Sequence, residues 1–244
     1  MTRDEARRKI IFALDIDEFD DIERWATLLA PHVGMFKVGK QLYTACGPAA
    51  VQMIQKCGGE VFLDLKYHDI PNTVAMASLE AARLQVQLFN MHALGGYEMM
   101  ARSVEALQKK YPAAERPKAL AVTILTSSTE ETLRQVGIEL PVTEMVVKLA
   151  RLAQKAGLDG VVASPQEISL IRSACGDDFL IVTPGVRPTF AATDDQKRIM
   201  TPAEAVRSGA DYLVIGRPIS AAADPVAAAE AIIDEIITGV AGRS

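Results

Sequence analysis

Short apolar runs alternate with amphipathic segments from one end of this 244-residue chain to the other. The runs at 10–16, 35–38, 61–66, 88–92, 119–125, 160–163, 180–184 and 212–215 are nearly continuous in hydrophobicity. That is the signature of parallel strands buried on both faces, not of half-exposed strands that alternate residue by residue. Between them, helical periodicity is clear at 20–29, 97–110, 143–156, 202–208 and 225–237. In the first of these, Ile22, Trp25, Leu28 and Leu29 read as one apolar stripe. Two helix starts are written explicitly: Thr201-Pro202-Ala203-Glu204 and Asp224-Pro225 each place a capping residue before a proline.

Eight strand–helix units in this length give about thirty residues per unit, the repeat of a closed (β/α)8 (TIM) barrel. No linker or composition shift divides the chain, so residues 1–244 are expected to form a single α/β barrel domain. An open, doubly wound sheet would show the same alternation. The count of eight favours the barrel, as does the position of the glycine-rich turns after the last two strands. Hydrophobic residues make up 49% and charged residues 23%, ordinary for a globular protein with one sizeable core. A net charge of -5 argues against a nucleic-acid or anionic-membrane surface. Cys46, Cys57 and Cys175 are too far apart for a zinc knuckle, and read as buried free thiols of a reducing compartment. With no cleavable apolar leader and no membrane-length run, the expected location is the cytoplasm.

Charged residues inside apolar runs need explaining, because an unpaired buried charge is expensive. Asp15 closes the first run and Lys37 lies in the second, while Asp64, Lys66 and Asp69 crowd the end of the third. On a regular strand, residues two apart share a face, so Asp64 and Lys66 are expected to point the same way. Lys37 on the neighbouring strand would join them in a line of alternating charge. Such a line suits either catalysis or a structural ion-pair network. Two later turns, Thr183-Pro184-Gly185-Val186-Arg187-Pro188 and Ile215-Gly216-Arg217-Pro218, combine glycine with arginine where barrels bind phosphate. They suit an anion site, or tight turns whose arginines pair with surface acids. The connection 187–200 between them is long enough for a lid or an insertion. His32, His68 and His92 show no metal-ligand spacing and read as structural.

Taken together, these residues resemble the orotidine 5′-monophosphate decarboxylase family, in its bacterial form. The match runs through FALDID (12–17), FKVG (36–39), FLDLKYHDIPNTV (62–74), LTS (125–127), VTPGVRP (182–188), DQKRIMTP (195–202) and DYLVIGRPI (211–219). The resemblance implies a homodimer with shared active sites, acting on a small nucleotide to form UMP, without metal or organic cofactor. Lys37, Asp64 and Lys66 then form the charged line, and Asp69 completes it in the partner's site. Asp15 and Lys37 match ribose contacts, and Thr73 also crosses the dimer. Thr126 and Ser127 match the segment facing the pyrimidine, while Arg187, Gln196, Gly216 and Arg217 match the phosphate-binding positions. One departure is visible: 189–196 reads TFAATDDQ, without the glycine common there in the family.

The implied chemistry is loss of CO2 from C6 of the pyrimidine, with Lys66 stabilising the carbanion and supplying the proton. Asp64 would sit near the departing carboxylate and keep Lys66 charged and positioned. Two other readings share these motifs: a magnesium-dependent sugar-phosphate decarboxylase or aldolase on the same barrel, and a non-catalytic nucleotide-binding barrel. Glu60, the nearest extra acid, begins its strand and so stands at the wrong end for a metal ligand.

Overall fold

A computed structural model describes residues 1–191 and 200–241. Its strands are β1 (Ile10–Ala13), β2 (Met35–Gly39), β3 (Val61–Tyr67), β4 (Leu88–His92), β5 (Lys118–Val122), β6 (Gly160–Val162), β7 (Leu180–Pro184) and β8 (Tyr212–Ile215). They close in chain order into one parallel barrel, and the pairing of β1 with β8 rules out the open sheet. Contacts along the chain gather into two compact units, 1–64 with 183–244, and 65–182.

In the first unit, Phe12 and Phe36 stand opposite each other in register, and their rings meet edge to face. Phe12 also packs on Trp25 of the helix Phe19–Leu29, so this face of β1 and β2 looks toward the helical layer. Side chains one residue along point the other way, which sends Ala13, Lys37 and Gly39 to the opposite face. Gly39 is in register with Asp64, so that carboxylate shares their face. The buried stripe of the helix is Ile22, Ala26 and Leu29, with Trp25 at its edge. Leu28, expected on that stripe, is 40% exposed. It sits roughly 120° around the helix from Ile22, outside the packed face.

In the second unit, β4, β5, β6 and β7 pair in sequence. The helix Pro71–Arg83 packs on Gly96–Lys110, and its buried residues are mostly small, among them Ala75, Ser78 and Ala82. The expected helix starts hold. Thr201 caps Pro202–Arg207 in a reciprocal capping box with Glu204, and Asp224 accepts from the Ala227 N–H.

Three strands end earlier than their apolar runs, β6 by a single residue. β1 stops at Ala13 although the run continues to 16, because its partner β2 turns into the helix Lys40–Cys46 straight after Gly39. The last cross-strand bond there is Leu14 N–H to the Lys37 carbonyl. β5 likewise ends at Val122, and Thr123 makes the last bond to β6, which leaves for the turn at Pro165. The three cysteines are free, as expected, but half-buried instead of fully buried. Among the described residues, no helix is long and apolar enough to cross a membrane.

Candidate active site

The C-terminal ends of β1, β2 and β3 bring three expected residues together. The Lys37 ammonium donates to Asp15 Oδ1 at 2.8 Å and lies 3.8 Å from Asp64 Oδ2. Lys37 and Asp64 side chains are each only 11% exposed, whereas Asp15 is 56% exposed. Two nearly buried opposite charges satisfy the pairing rule for the interior, and the outer carboxylate remains open to solvent. Asp15 stands two residues beyond the end of β1, in the loop and not on the strand.

Gly39 belongs to this cluster and escaped the sequence reading. A Cβ there would stand 2.7 Å from Lys37 Nζ and 3.4 Å from Asp15 Oδ1. Its backbone, at φ -90° and ψ -177°, is open to any residue, so the glycine is required for space. The only hint in the sequence is its place two residues after a strand lysine.

Lys66 lies in β3 with φ 54°, in the left-handed region. A side-chain residue held there costs on the order of 1–3 kcal/mol and persists only where its surroundings enforce it. The expectation that Asp64 and Lys66 share a face therefore loses its premise, since period-two alternation requires extended backbone at both positions. The Lys66 N–H donates to Asn90 Oδ1 at 2.8 Å.

Asp69 and Thr73 are exposed. Asp69 accepts from the Ile70 N–H, and Pro71 opens the next helix at its first position, with Ile70 extended before it. Around them, Ile70, Met76, Leu94 and Tyr97 present large apolar side chains to solvent, and a groove of about 560 Å³ runs between the two helices beside Met76, Leu79 and Arg102. Thr126 and Ser127 lie exposed in the turn after β5. His68, just beyond β3, and His92, the last residue of β4, pair ring to ring with 5.5 Å between centroids. His32 follows the helix Phe19–Leu29. It pairs with Glu230, which Arg3 also engages, and the His32 and Arg3 contacts hold that carboxyl below its ordinary range.

After β7, Gly185 has φ 82°, a conformation that favours glycine, whereas Gly216, at φ -115° and ψ -99°, lies outside both the extended and the helical regions and close to Ala13. Arg187 is half-buried, with Nη1 on the Val186 carbonyl, and Arg217 is exposed at the start of the short helix Arg217–Ser220. The Arg187 N–H meets the Met200 carbonyl, which joins the two ends of the 187–200 connection. Thr189 N–H and Oγ1 both donate to Glu235 of the last helix. Gln196 lies outside the described residues.

A family model described as orotidine 5′-phosphate decarboxylase / HUMPS matches residues 8–232. The chain belongs to that family. A curated relative from Geotalea uraniireducens, named orotidine 5′-phosphate decarboxylase, is 79% identical across 97% of this chain and 98% of its own. One of the same name from Geobacter sulfurreducens is 76% identical across 98% and 100%. The crystal structure of orotidine 5′-phosphate decarboxylase from Lactobacillus acidophilus superposes with a TM-score of 0.82 at 40% identity, covering 94% of this chain and 99% of that one. The solved relative of that name shares the barrel described above.

Proposed function

We propose that this chain decarboxylates orotidine 5′-monophosphate to UMP, the last step of de novo pyrimidine synthesis, as one cytoplasmic barrel domain that works as a homodimer. The observation that carries the reading is the buried carboxylate–ammonium cluster at the ends of β1, β2 and β3, followed on β3 by a lysine in a strained conformation. The names of its close relatives support the same activity.

Lys66 stabilises the carbanion left at C6 when CO2 departs and gives C6 its proton. A fixed ammonium needs little reorganisation at that moment, which is why preorganised charge is usually the largest catalytic contribution. Asp64 lies beside the departing carboxylate. Asp15 and Lys37 hold the ribose, and Thr126 and Ser127 face the pyrimidine. Arg187, Gln196, Gly216 and Arg217 hold the phosphate, and that remote binding energy lowers the barrier at C6. Asp69 and Thr73 serve the partner subunit's site, and the exposed apolar side chains around them supply a surface for a second copy.

The test is to follow the absorbance of orotidine 5′-monophosphate with purified protein and a chelator present. Full turnover is expected. Loss of turnover with chelator, restored by magnesium, would move the chain to the sugar-phosphate reading. UMP binding without turnover would make it a nucleotide-binding barrel.

A further inference from the structure

Strand β4 reads Leu-Phe-Asn-Met-His, and its Asn90 is completely buried. A buried amide is costly unless its polar atoms find partners. Here Oδ1 accepts the Lys66 N–H at 2.8 Å. In a regular ladder that N–H would meet a neighbouring backbone carbonyl; at Lys66 it meets a side chain instead.

The location of the bond matters because of the conformation it holds. Among the described residues, Lys66 and Gln85 are the non-glycine residues with positive φ. Gln85 follows the last turn of Pro71–Arg83, and its N–H bonds the Ala82 carbonyl, an ordinary left-handed helix ending. Lys66 lies inside a strand, where no helix ending explains it. Relaxation of its φ to the extended region would swing the Cα–Cβ bond and carry the ammonium with it. Asparagine is well suited to hold that N–H, because its side chain has only two torsions and projects from a strand paired along its length with β5.

We infer that Asn90 is a positioning residue that fixes the backbone of Lys66 and so aims its ammonium. The inference rests on the reading of Lys66 as the proton donor. Asn90 acts through Lys66 and needs no contact with the substrate.

Two variants test it. Asn90→Leu keeps the size and removes the acceptor, while Asn90→Asp keeps both shape and acceptor. With orotidine 5′-monophosphate, Asn90→Leu should lose on the order of a hundredfold in kcat, the usual result of misplacing a catalytic group by about 1 Å. Its KM should stay within about threefold of the native value, because phosphate and ribose binding are untouched. Asn90→Asp should keep kcat within about tenfold of native. Thermal melts verify folding, and if Asn90→Leu does not fold, Asn90→Ser replaces it, its hydroxyl being too short to reach the Lys66 N–H. A folded variant without the acceptor but with native kcat would overturn the inference, as would equal losses in the leucine and aspartate variants. Lys66→Ala, run alongside, separates the two ideas. If it keeps a tenth of native turnover, the reading of Lys66 fails. If it is inactive while Asn90→Leu is native-like, only the role of Asn90 falls.

Discussion

Gly39→Ala places one methyl group against the ammonium of the site while leaving the backbone conformation allowed. The new Cβ would lie 2.7 Å from Lys37 Nζ, and ordinary contact begins at 3.4 Å, so the ammonium must retreat by about 0.7 Å. It can, being the far end of a flexible side chain. The retreat stretches the 2.8 Å bond to Asp15 to the limit of hydrogen bonding. Because Asp15 is more than half exposed, that loss is discounted to about 1 kcal/mol. At an effective dielectric constant of about 20, moving from 3.8 Å to 4.5 Å from Asp64 removes a further ~0.7 kcal/mol. Between 1 and 2 kcal/mol of pairing within the site is therefore lost, and the displacement of the ammonium from its place beside the ribose should lower kcat/KM by roughly tenfold. Gly39 is also the N-cap of Lys40–Cys46, where alanine costs about 1 kcal/mol and a chain this long shifts by about 2–4 °C in Tm. Steady-state decarboxylation and a thermal melt measure the two effects separately. A folded variant with native kcat/KM would show that the position of the Lys37 ammonium does not matter, and the argument from space would fail.

Arg217→Ala should lower kcat/KM for orotidine 5′-monophosphate far more than for orotidine, which lacks the phosphate; equal losses would put Arg217 outside the phosphate site. Mixing Lys66→Ala with Asp69→Ala protein under subunit exchange should restore about a quarter of native activity, since half the dimers are mixed and each mixed dimer has one whole site. No recovery, with exchange verified by mass spectrometry, would assign Asp69 to its own subunit's site. Glu230 has its carboxyl held low by His32 first and then Arg3. Its folded-state pKa is depressed, so its stabilising contribution is present above the ordinary carboxylate range and is lost as pH falls through and below that range. Glu230→Gln should therefore flatten the acid side of the Tm–pH curve, and an unchanged acid slope would remove the pair from the account.

Most of the barrel was legible because strands buried on both faces are apolar at every position. The runs 88–92, 180–184 and 212–215 coincide with β4, β7 and β8. Strand ends were less legible where a partner sets them: nothing in FALDID says that β2 turns away after Gly39. The helix Lys40–Cys46 buries only Leu42 and so leaves little periodic signal. At the site, charges inside apolar runs pointed to Lys37 and Asp64, because burial makes such residues conspicuous. Gly39 and Asn90 were missed for different reasons. A glycine that makes room for an ammonium is visible only in three dimensions, whereas an asparagine in Leu-Phe-Asn-Met-His was a readable signal by the same burial argument.

The left-handed conformation of Lys66 had no signal in the sequence, and it makes its own prediction about stability. A lysine at φ 54° bears a cost that glycine avoids, on the order of 1–2 kcal/mol. Glycine also gives up more freedom on folding, about 0.5–1 kcal/mol. Lys66→Ala and Lys66→Gly both remove the side chain and its interactions, so the comparison isolates the backbone. Lys66→Gly should be the more stable by about 0.5–1 kcal/mol, roughly 1–4 °C in Tm, although both should be inactive. At an ordinary strand position the order is reversed, because alanine outperforms glycine wherever φ is negative. A higher Tm for Lys66→Ala would mean that the backbone relaxes once the lysine is gone. The conformation would then be a consequence of the ammonium's interactions, and Asn90 would have little left to hold.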